Sequence, residues 1–419
     1  MKPRRVVVTG IGAVSCAGNT LPATWESLIR GKSGITAAGC VADDGLALPA
    51  GEVRDFALDE TVATPKQERR MARAARFAVA AAAEAMRQAQ LPLSPEERSG
   101  DDPFRFGALI ACGAGGVEEY DRAAASLGSR GPGAVSPFFV PKYMSNSAAG
   151  TVAMRFGARG PCFNPVSACA SGAHAIGEAM WMIRRGDADR MLAGGCEALI
   201  TRLMMSGFHS LTALSTGTPP ERACRPFDLH RDGFVLAEGS AVLLLEELEC
   251  ARARGAAILA EVVGYGATCD ATHITAPDPA GAGLCRALRN ALALAEVPPE
   301  AVGCISAHGT GTVANDRCET RAIRAAFGDT CADAIHVSAI KSMIGHALAA
   351  SGALAAAAAV RTLRTGIVPP TINYETPDPE CDLDVTPNRA VRTDTRYVMV
   401  NSMGFGGHNA ALLFRKWEE

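Results

Sequence analysis

One cysteine of this sequence stands in a setting suited to nucleophilic chemistry. Cys169 belongs to residues 166–174, where small side chains lead from an apolar run into a predicted helix. We expect a sharp strand-to-helix turn there, because the positive end of a helix and its unpaired N–H groups favour a thiolate over a thiol. A buried structural cysteine is an equally weighted alternative for Cys169, and it is the preferred interpretation for the other cysteines.

Two histidines stand in segments that can face a crevice. His308 opens the sequence His-Gly-Thr-Gly-Thr at residues 308–312, and His346 closes Lys-Ser-Met-Ile-Gly-His, which begins at Lys341. Strand ends that face a crevice are where α/β proteins place reactive groups, and an imidazole there can donate hydrogen bonds or move protons. A structural histidine and a surface lysine are the plainer alternatives.

A fourth segment, residues 401–409, reads Asn-Ser-Met-Gly-Phe-Gly-Gly-His-Asn after a predicted strand. Such a glycine-rich loop around Phe405 can aim backbone N–H groups at a developing oxyanion. Taken alone, it fits a tight turn around a packed aromatic ring better than it fits a site.

The elements that must position these residues alternate between short apolar strands and helices, which predicts an α/β layered architecture. The predicted strands include residues 6–8, 108–111, 191–193, 258–263 and 398–400. The predicted helices include residues 72–90 and 172–185.

Three short sequences recur in the same order later in the chain, which predicts a duplicated fold. The pairs are residues 8–13 with 262–267, 111–115 with 307–311, and 166–169 with 337–340. We place an N-terminal half with the nucleophilic cysteine at 1–255 and a C-terminal half with the two histidines at 256–419. The halves are expected to meet around Cys169, His308 and His346. Chance similarity among strand ends rich in glycine and alanine is the alternative.

Composition and charge bear on the class of protein. A length of 419 residues exceeds the size of one hydrophobic core. A net charge of -3 argues against a general nucleic-acid binder.

The 14 cysteines form no Cys-x-x-Cys pair, so neither a zinc site nor a disulfide framework is expected, and a reducing cytoplasm fits best. The alanine-rich run at 347–360, interrupted by Ser351 and Gly352, predicts a buried helix and not a membrane span.

Together the four segments resemble the condensing enzymes of the thiolase fold, in particular the elongating β-ketoacyl-acyl carrier protein synthases. The resemblance extends over nearly the whole chain and includes residues 225–228 and 231–239. It implies a thiolase-like α/β fold whose two duplicated halves form a layered α-β-α-β-α arrangement. Residues 310–317 look more like ketosynthases of type II polyketide or polyene pathways than like fatty-acid enzymes.

The resemblance also implies a role for individual residues. These roles are catalysis by Cys169, His308, His346 and Lys341; an oxyanion hole from the N–H groups of Cys169 and Phe405; support from Asp316 and Glu319; and substrate binding by Thr310, Thr312, Phe208, Ala114, Ser147 and Met403. By the same resemblance, the cysteine accepts an acyl group from the phosphopantetheine of an acyl carrier protein. It condenses that group with a malonyl-carrier thioester as carbon dioxide leaves. No metal and no cofactor beyond the carrier-borne phosphopantetheine is expected.

Three positions depart from the pattern of the housekeeping enzymes. Met403 replaces a phenylalanine, Ala114 replaces a larger aliphatic residue, and Ser147 replaces a bulky apolar one. The changes predict a tunnel for a longer, conjugated or oxygenated chain. Compensating repacking is the alternative.

The expected partners are an acyl carrier protein and a second subunit, which is either an identical chain or a homologous ketosynthase-like chain. Carrier proteins are acidic, so a basic rim is expected. The candidate basic residues are Lys66, Arg69, Arg70, Arg73 and Arg76. A solvated helical face is the alternative.

Other enzyme classes fit less well. The sequence Thr9-Gly10-Ile11-Gly12 lacks the third glycine of a dinucleotide-binding fingerprint. A thiolase acting on coenzyme A thioesters would need a second cysteine near the carboxyl terminus, and no cysteine follows Cys381. A chain-length-determining subunit would lack Cys169, although the chain could be the active half of a heterodimer with such a subunit.

Overall fold

The strands and helices alternate along the chain in a computed structural model that describes residues 4–98 and 100–418. In that part of the chain the strands are β1 (Val6–Ser15), β2 (Thr36–Ala37), β3 (Pro49–Gly51), β4 (Phe106–Ala111), β5 (Cys162–Phe163), β6 (Arg190–Glu197), β7 (Leu236–Ala237), β8 (Gly239–Glu247), β9 (Ala260–Cys269), β10 (Val302–Ser306), β11 (His336–Ser338), β12 (Ile367–Val368), β13 (Val391–Arg392), β14 (Tyr397–Gly404) and β15 (His408–Lys416). The α-helices are α1 (Leu21–Ile29), α2 (Pro65–Glu68), α3 (Arg73–Gln88), α4 (Val117–Arg130), α5 (Phe139–Tyr143), α6 (Ser147–Phe156), α7 (Ser171–Arg185), α8 (Arg202–Ser210), α9 (Leu248–Ala253), α10 (Ala282–Ala295), α11 (Val313–Phe327), α12 (Asp329–Ala334), α13 (Lys341–Ile344) and α14 (Ser351–Thr365).

The main sheet has the strand order β11-β10-β14-β15-β9-β1-β8-β6-β4-β5. On one side of the sheet, the pairs β1–β8 and β8–β6 are antiparallel, and the pairs β6–β4 and β4–β5 are parallel. The other side repeats this order: the pairs β9–β15 and β15–β14 are antiparallel, and the pairs β14–β10 and β10–β11 are parallel. The predicted duplication is therefore present in the topology, and the first repeated segments lie in β1 and β9. The boundary at residue 255 stays a prediction.

Three buried clusters divide the molecule into five layers. One cluster places α3 and α6 on the outer face of the β1-β8-β6-β4 strands. A second places α7 and α14 between the two halves of the sheet, and a third places α10 and α11 on the far side of β9, β15, β14 and β10. Neighbouring residues of β8 illustrate the division, because Val242 faces the first cluster and Leu243 the second. The predicted layered α-β-α-β-α arrangement is confirmed.

The middle layer depends on small side chains. A Cβ added at Gly352 would lie 2.8 Å from the backbone nitrogen of Ala173, and one at Gly172 would lie 2.6 Å from the carbonyl oxygen of Ala349. Helices α7 and α14 therefore approach each other closely at the ends that bear the site. The alanine-rich run forms a buried helix, as predicted. No helix in the described residues combines the length and apolar character that a membrane span needs.

The strand before Cys169 ends earlier than predicted. β5 stops at Phe163, and Val166 is exposed in the loop that follows. The Asn164 side chain explains this: its Oδ1 accepts from the Cys112 N–H at 3.0 Å, and its Nδ2 donates to the Cys112 carbonyl at 2.9 Å. A side chain thus replaces the strand pairing at the end of β4.

Candidate active site

Cys169 lies in a turn that connects β5 to α7. The turn is one 3₁₀ segment, Ala168–Ala170, and Ala168 has a φ of +49°. Ser171, the first residue of α7, accepts a hydrogen bond from the Ser167 N–H at 2.8 Å and donates one to the Ala168 carbonyl at 2.6 Å. These bonds hold the left-handed residue in place, so the thiol points into a cavity of about 480 Å³. The predicted strand-to-helix turn is present, reached through the loop after β5.

The end of β14 meets this turn. A Cβ on Gly404 would lie 2.7 Å from the Ser167 carbonyl oxygen and 3.1 Å from the Cys169 nitrogen, so only glycine permits the approach. The Phe405 N–H that follows hydrogen-bonds to the Cys169 thiol. The backbone N–H groups of Cys169 and Phe405 are thereby brought to one place, which is the geometry that an oxyanion hole requires.

The thiolate expected at Cys169 is not the resting state. Burial raises the pKa of the Cys169 thiol to about 12, against the opposing effects of the Lys341 charge and the Phe405 N–H. The prediction of a thiolate took account of the positive helix end but not of burial, which removes the thiol from water and disfavours its charged form. Nucleophilic attack therefore has to be coupled to loss of the thiol proton.

His308 is held through its backbone. Its N–H donates to Glu319 at 2.7 Å, the Gly309 N–H donates to the other Glu319 oxygen at 2.7 Å, and the Lys341 ammonium donates to the His308 carbonyl. Glu319 also accepts from the Asn401 side chain at 3.1 Å. Glu319 and Lys341 are both buried and contact the backbone of His308, and neither is among the residues that line the cavity at Cys169.

His346 is fixed on both its backbone and its side chain. Its N–H donates to the Val235 carbonyl at 2.7 Å, and its Nδ1 lies 2.8 Å from the Ser351 hydroxyl. Its ring meets the His308 ring edge-on, with the centroids 5.3 Å apart. The structure therefore brings the two predicted histidines together beside Cys169.

Both imidazoles are neutral at neutral pH. Burial, the Lys341 charge and the neighbouring His346 lower the pKa of His308 well below its usual value, and burial with the Lys341 charge does the same for His346. Burial also lowers the pKa of Lys341, and the carboxylate of Glu319 opposes that change. Neutral imidazoles beside a buried ammonium group are suited to donating hydrogen bonds to a developing negative charge.

Asp316 supports the threonine loop. It accepts from the Phe227 N–H at 2.8 Å and the Gly311 N–H at 3.3 Å, and it lies 3.3 Å from Arg231. Burial raises the pKa of its carboxyl group, and Arg231 opposes the rise. The loop presents Thr310 and Thr312 with their hydroxyl oxygens 3.0 Å apart.

Most of the predicted site residues share one cavity, but not all of them do. The predicted residues that line the cavity at Cys169 are Cys169, Phe208, His308, Thr310, Thr312, His346, Met403 and Phe405. Ala114 lines a neighbouring cavity of about 560 Å³ and packs against the cluster that contains Phe208. Ser147 lies at the start of α6, by a small separate cavity beside Lys142.

Sequence reasoning missed two groups at the site. Ser351 was interpreted only as an interruption of the alanine-rich run. Its position five residues after His346 could have predicted a hydroxyl close to the imidazole. Glu197 is fully buried and accepts from the backbone of Gly113, Ala114 and Ala349, and burial raises its pKa to about 7. Nothing in the local sequence marks Glu197, because its partners come from distant segments.

Comparison with known proteins identifies the family. The profile of the beta-ketoacyl synthase N-terminal domain matches residues 3–251, and that of the C-terminal domain matches residues 259–375. The chain belongs to the beta-ketoacyl synthase family. It is an acyltransferase of the 3-oxoacyl-acyl carrier protein synthase class.

Individual relatives cover the whole chain. Two are named 3-oxoacyl-[acyl-carrier-protein] synthase 2: one from Staphylococcus aureus strain COL, 45% identical over 99% of both chains, and one from Synechocystis, 45% identical over 100% of this chain and 99% of that one. A solved ketosynthase in complex with its type II polyketide acyl carrier protein is 36% identical with a TM-score of 0.91 over 99% of this chain and 100% of that one. The ishigamide ketosynthase/chain length factor is 36% identical with a TM-score of 0.90, over the same shares of the two chains. The thiolase-like fold of this β-ketoacyl synthase is therefore established.

Proposed function

We propose that this enzyme condenses a carrier-bound acyl chain with a carrier-bound malonyl group, using Cys169, His308 and His346 in the roles predicted for them. The observation that supports this most is the convergence of the thiol, two neutral imidazoles and two backbone N–H groups on one cavity. The substrate brings its own phosphopantetheine, and we expect Thr310 and Thr312, which line the cavity, to hydrogen-bond it.

The first half-reaction transfers the acyl group. The Cys169 sulfur attacks the thioester carbonyl, the oxyanion accepts hydrogen bonds from the Cys169 and Phe405 N–H groups, and the carrier thiol leaves with the proton that the cysteine loses. In the second, the bond between the malonyl carboxylate and Cα breaks, and carbon dioxide departs. The resulting enolate is stabilised by hydrogen bonds from His308 and His346. Its carbon then attacks the acyl carbonyl, the bond to the Cys169 sulfur breaks, and the sulfur takes up a proton from solvent to restore the thiol.

The acyl chain is proposed to run past Ala114. Ala114 lines the cavity that also contains Tyr120 and Tyr143, and it packs against the same apolar cluster as Phe208 and Leu348, which line the cavity at Cys169. A methyl group at this position leaves room for a longer chain, and the aromatic lining suits a conjugated one. This supports a specialised polyketide or polyene product over a standard fatty acid.

A carrier-docking surface is proposed on α2 and the residues after it. Lys66, Arg69 and Arg70 are exposed, and the Arg70 guanidinium lies 5.2 Å from the centroid of the Phe138 ring. Arg73 does not belong to this surface, because it makes a paired contact with the buried Glu238 at 2.5 and 2.9 Å. Arg76 lies 3.3 Å from Glu68. The proposed surface is therefore smaller than the five basic residues predicted.

A second subunit is proposed to pair at β5. This strand is at the outer edge of the main sheet, and Cys162 and Phe163 are exposed there. An uncovered edge strand invites pairing with another chain. The partner is either a second copy or a chain length factor, as in the ishigamide ketosynthase. We place the enzyme in the cytoplasm, where its substrates would be carrier-bound intermediates.

The proposed reaction is tested by incubating the enzyme with acyl carrier proteins that bear chains of graded length, alone and with a candidate chain length factor. Intact mass spectrometry should show one acyl adduct on the enzyme, and malonyl-carrier addition should discharge it as a carrier-bound β-ketoacyl product. Loading from coenzyme A thioesters alone, with no carrier-borne group accepted under any condition, would contradict the proposal.

Replacing Ala114 by phenylalanine is expected to shorten the longest chain that the enzyme loads, because the ring would fill part of the cavity that Ala114 lines, on the path proposed for the acyl chain. Discrimination against chains that reach the second cavity should rise about 10-fold to 100-fold, with short chains loaded normally. Competition between carriers of two chain lengths measures this. Ser147→Ala is the control, since Ser147 lies outside both cavities and should leave the preference unchanged.

A further inference from the structure

His346 has a side-chain partner that His308 lacks. The Ser351 hydroxyl lies 2.8 Å from His346 Nδ1, and both residues are almost completely buried. Ser351 is the first residue of α14, so the partner is held by a rigid helix. By contrast, His308 Nδ1 is buried with no hydrogen-bond partner in the described residues.

The direction of this hydrogen bond follows from what else Ser351 can reach. Within residues 4–98 and 100–418, the Ser351 hydroxyl has no hydrogen-bond partner other than His346 Nδ1. If the imidazole donated, the hydroxyl proton would be buried without an acceptor, and a buried donor without a partner is rarer than an acceptor without one. The hydroxyl therefore donates, and Nδ1 accepts.

The tautomer of His346 follows in turn. A neutral imidazole has one N–H, so an accepting Nδ1 leaves the proton on Nε2. The backbone of His346 is fixed independently, because its N–H donates to Val235 at 2.7 Å and its carbonyl accepts from Ala237 at 3.0 Å. The ring is packed edge-on against Phe234, with the centroids 5.3 Å apart. The ring therefore has little freedom to turn its other nitrogen towards the cavity.

We propose that Ser351 is a positioning residue that holds His346 as the Nε2–H tautomer, which donates to the thioester oxygen of the malonyl substrate. This rests on the proposed role of His346 in decarboxylation. Ser351 itself touches neither substrate nor Cys169. Its effect is expected in the condensation half-reaction, and the acyl-transfer half-reaction, which uses backbone N–H groups, should be spared.

Kinetics separate the two half-reactions. Ser351→Ala should lower kcat for condensation with malonyl-carrier about 10-fold to 100-fold, the typical cost of losing an outer-shell partner that orients a histidine. Acyl loading of Cys169, followed by intact mass, should change less than about 3-fold. Ser351→Thr keeps the hydroxyl and should restore condensation. Thr365→Ala, which removes a hydroxyl bonded to the Arg361 carbonyl in the last turn of α14, is the matched control and should leave both rates unchanged.

Nitrogen NMR tests the tautomer without turnover. In protein labelled with ¹⁵N-histidine, the His346 signals, assigned by their loss in His346→Gln, should show a protonated Nε2 and an unprotonated Nδ1. Ser351→Ala should give a mixture of tautomers. A wild-type Nδ1–H signal, or a Ser351→Ala enzyme with unchanged signals and full condensation, would overturn the proposal. If wild type failed to condense, the proposed function would fail, and the NMR result would still decide the tautomer.

Discussion

Cys169→Ala is expected to abolish acyl loading and to lower condensation by about 10⁴-fold or more, because Cys169 supplies the only thiol that lines the cavity in the described residues, and a thiol is a far better nucleophile than a hydroxyl group. Intact mass after incubation with an acyl carrier protein should show the adduct on wild type alone. The fold should survive, since alanine lacks only a sulfur atom in a turn that is held by Ser171 and Gly404.

Cys304→Ala is the matched control for this experiment. Cys304 is as buried as Cys169, but it lies in β10 and faces the middle layer of helices, away from the cavity. It should load normally. An acyl adduct that persisted on Cys169→Ala, or that disappeared on Cys304→Ala, would assign the nucleophile elsewhere.

His346→Ala and His308→Ala are each expected to lower condensation about 10²-fold to 10³-fold, the usual cost of removing a donor to a developing oxyanion. Acyl loading should fall much less, because its oxyanion is bound by backbone N–H groups. The ratio of condensation to loading, measured for each variant with the same carrier, is the informative quantity. His336→Ala, which removes a surface histidine 2.8 Å from Asp384, should leave that ratio unchanged. Equal losses in both half-reactions would contradict the assignment.

The pH dependence of the wild-type enzyme adds to this test. The pKa of both imidazoles is lowered, so they remain neutral as the pH falls through the range in which an exposed histidine becomes protonated. Protonation of the two imidazoles should therefore cause no fall in kcat for condensation as the pH drops below about 6.5. A loss of kcat with an apparent pKa near that of free histidine, absent from His308→Ala, would show that the buried environment is not maintained during turnover.

Much of the site could be predicted from sequence because its geometry is locally determined. Small residues around Cys169, glycines around Phe405 and the threonine loop after His308 fix their turns through short-range sterics and capping bonds. The repeated segments predicted the duplication for a similar reason: β1 and β9 occupy equivalent places and have the same local requirements.

The tertiary structure decided which side chains meet. Arg73 was expected on a basic surface, yet it binds Glu238, which is 165 residues away in the sequence. Ala114 and Ser147 were expected in one tunnel, but they line different cavities, Ala114 with Tyr120 and Tyr143, and Ser147 with Lys142. The Cys169 thiol was expected to ionise readily, but β14 and α14 pack around the turn and exclude water from the thiol, which raises its pKa.

The sequence by itself determined the turns and the reactive groups, because those depend on neighbouring residues. Burial and ion pairs depend on residues far apart in the chain, so only the folded structure could decide them.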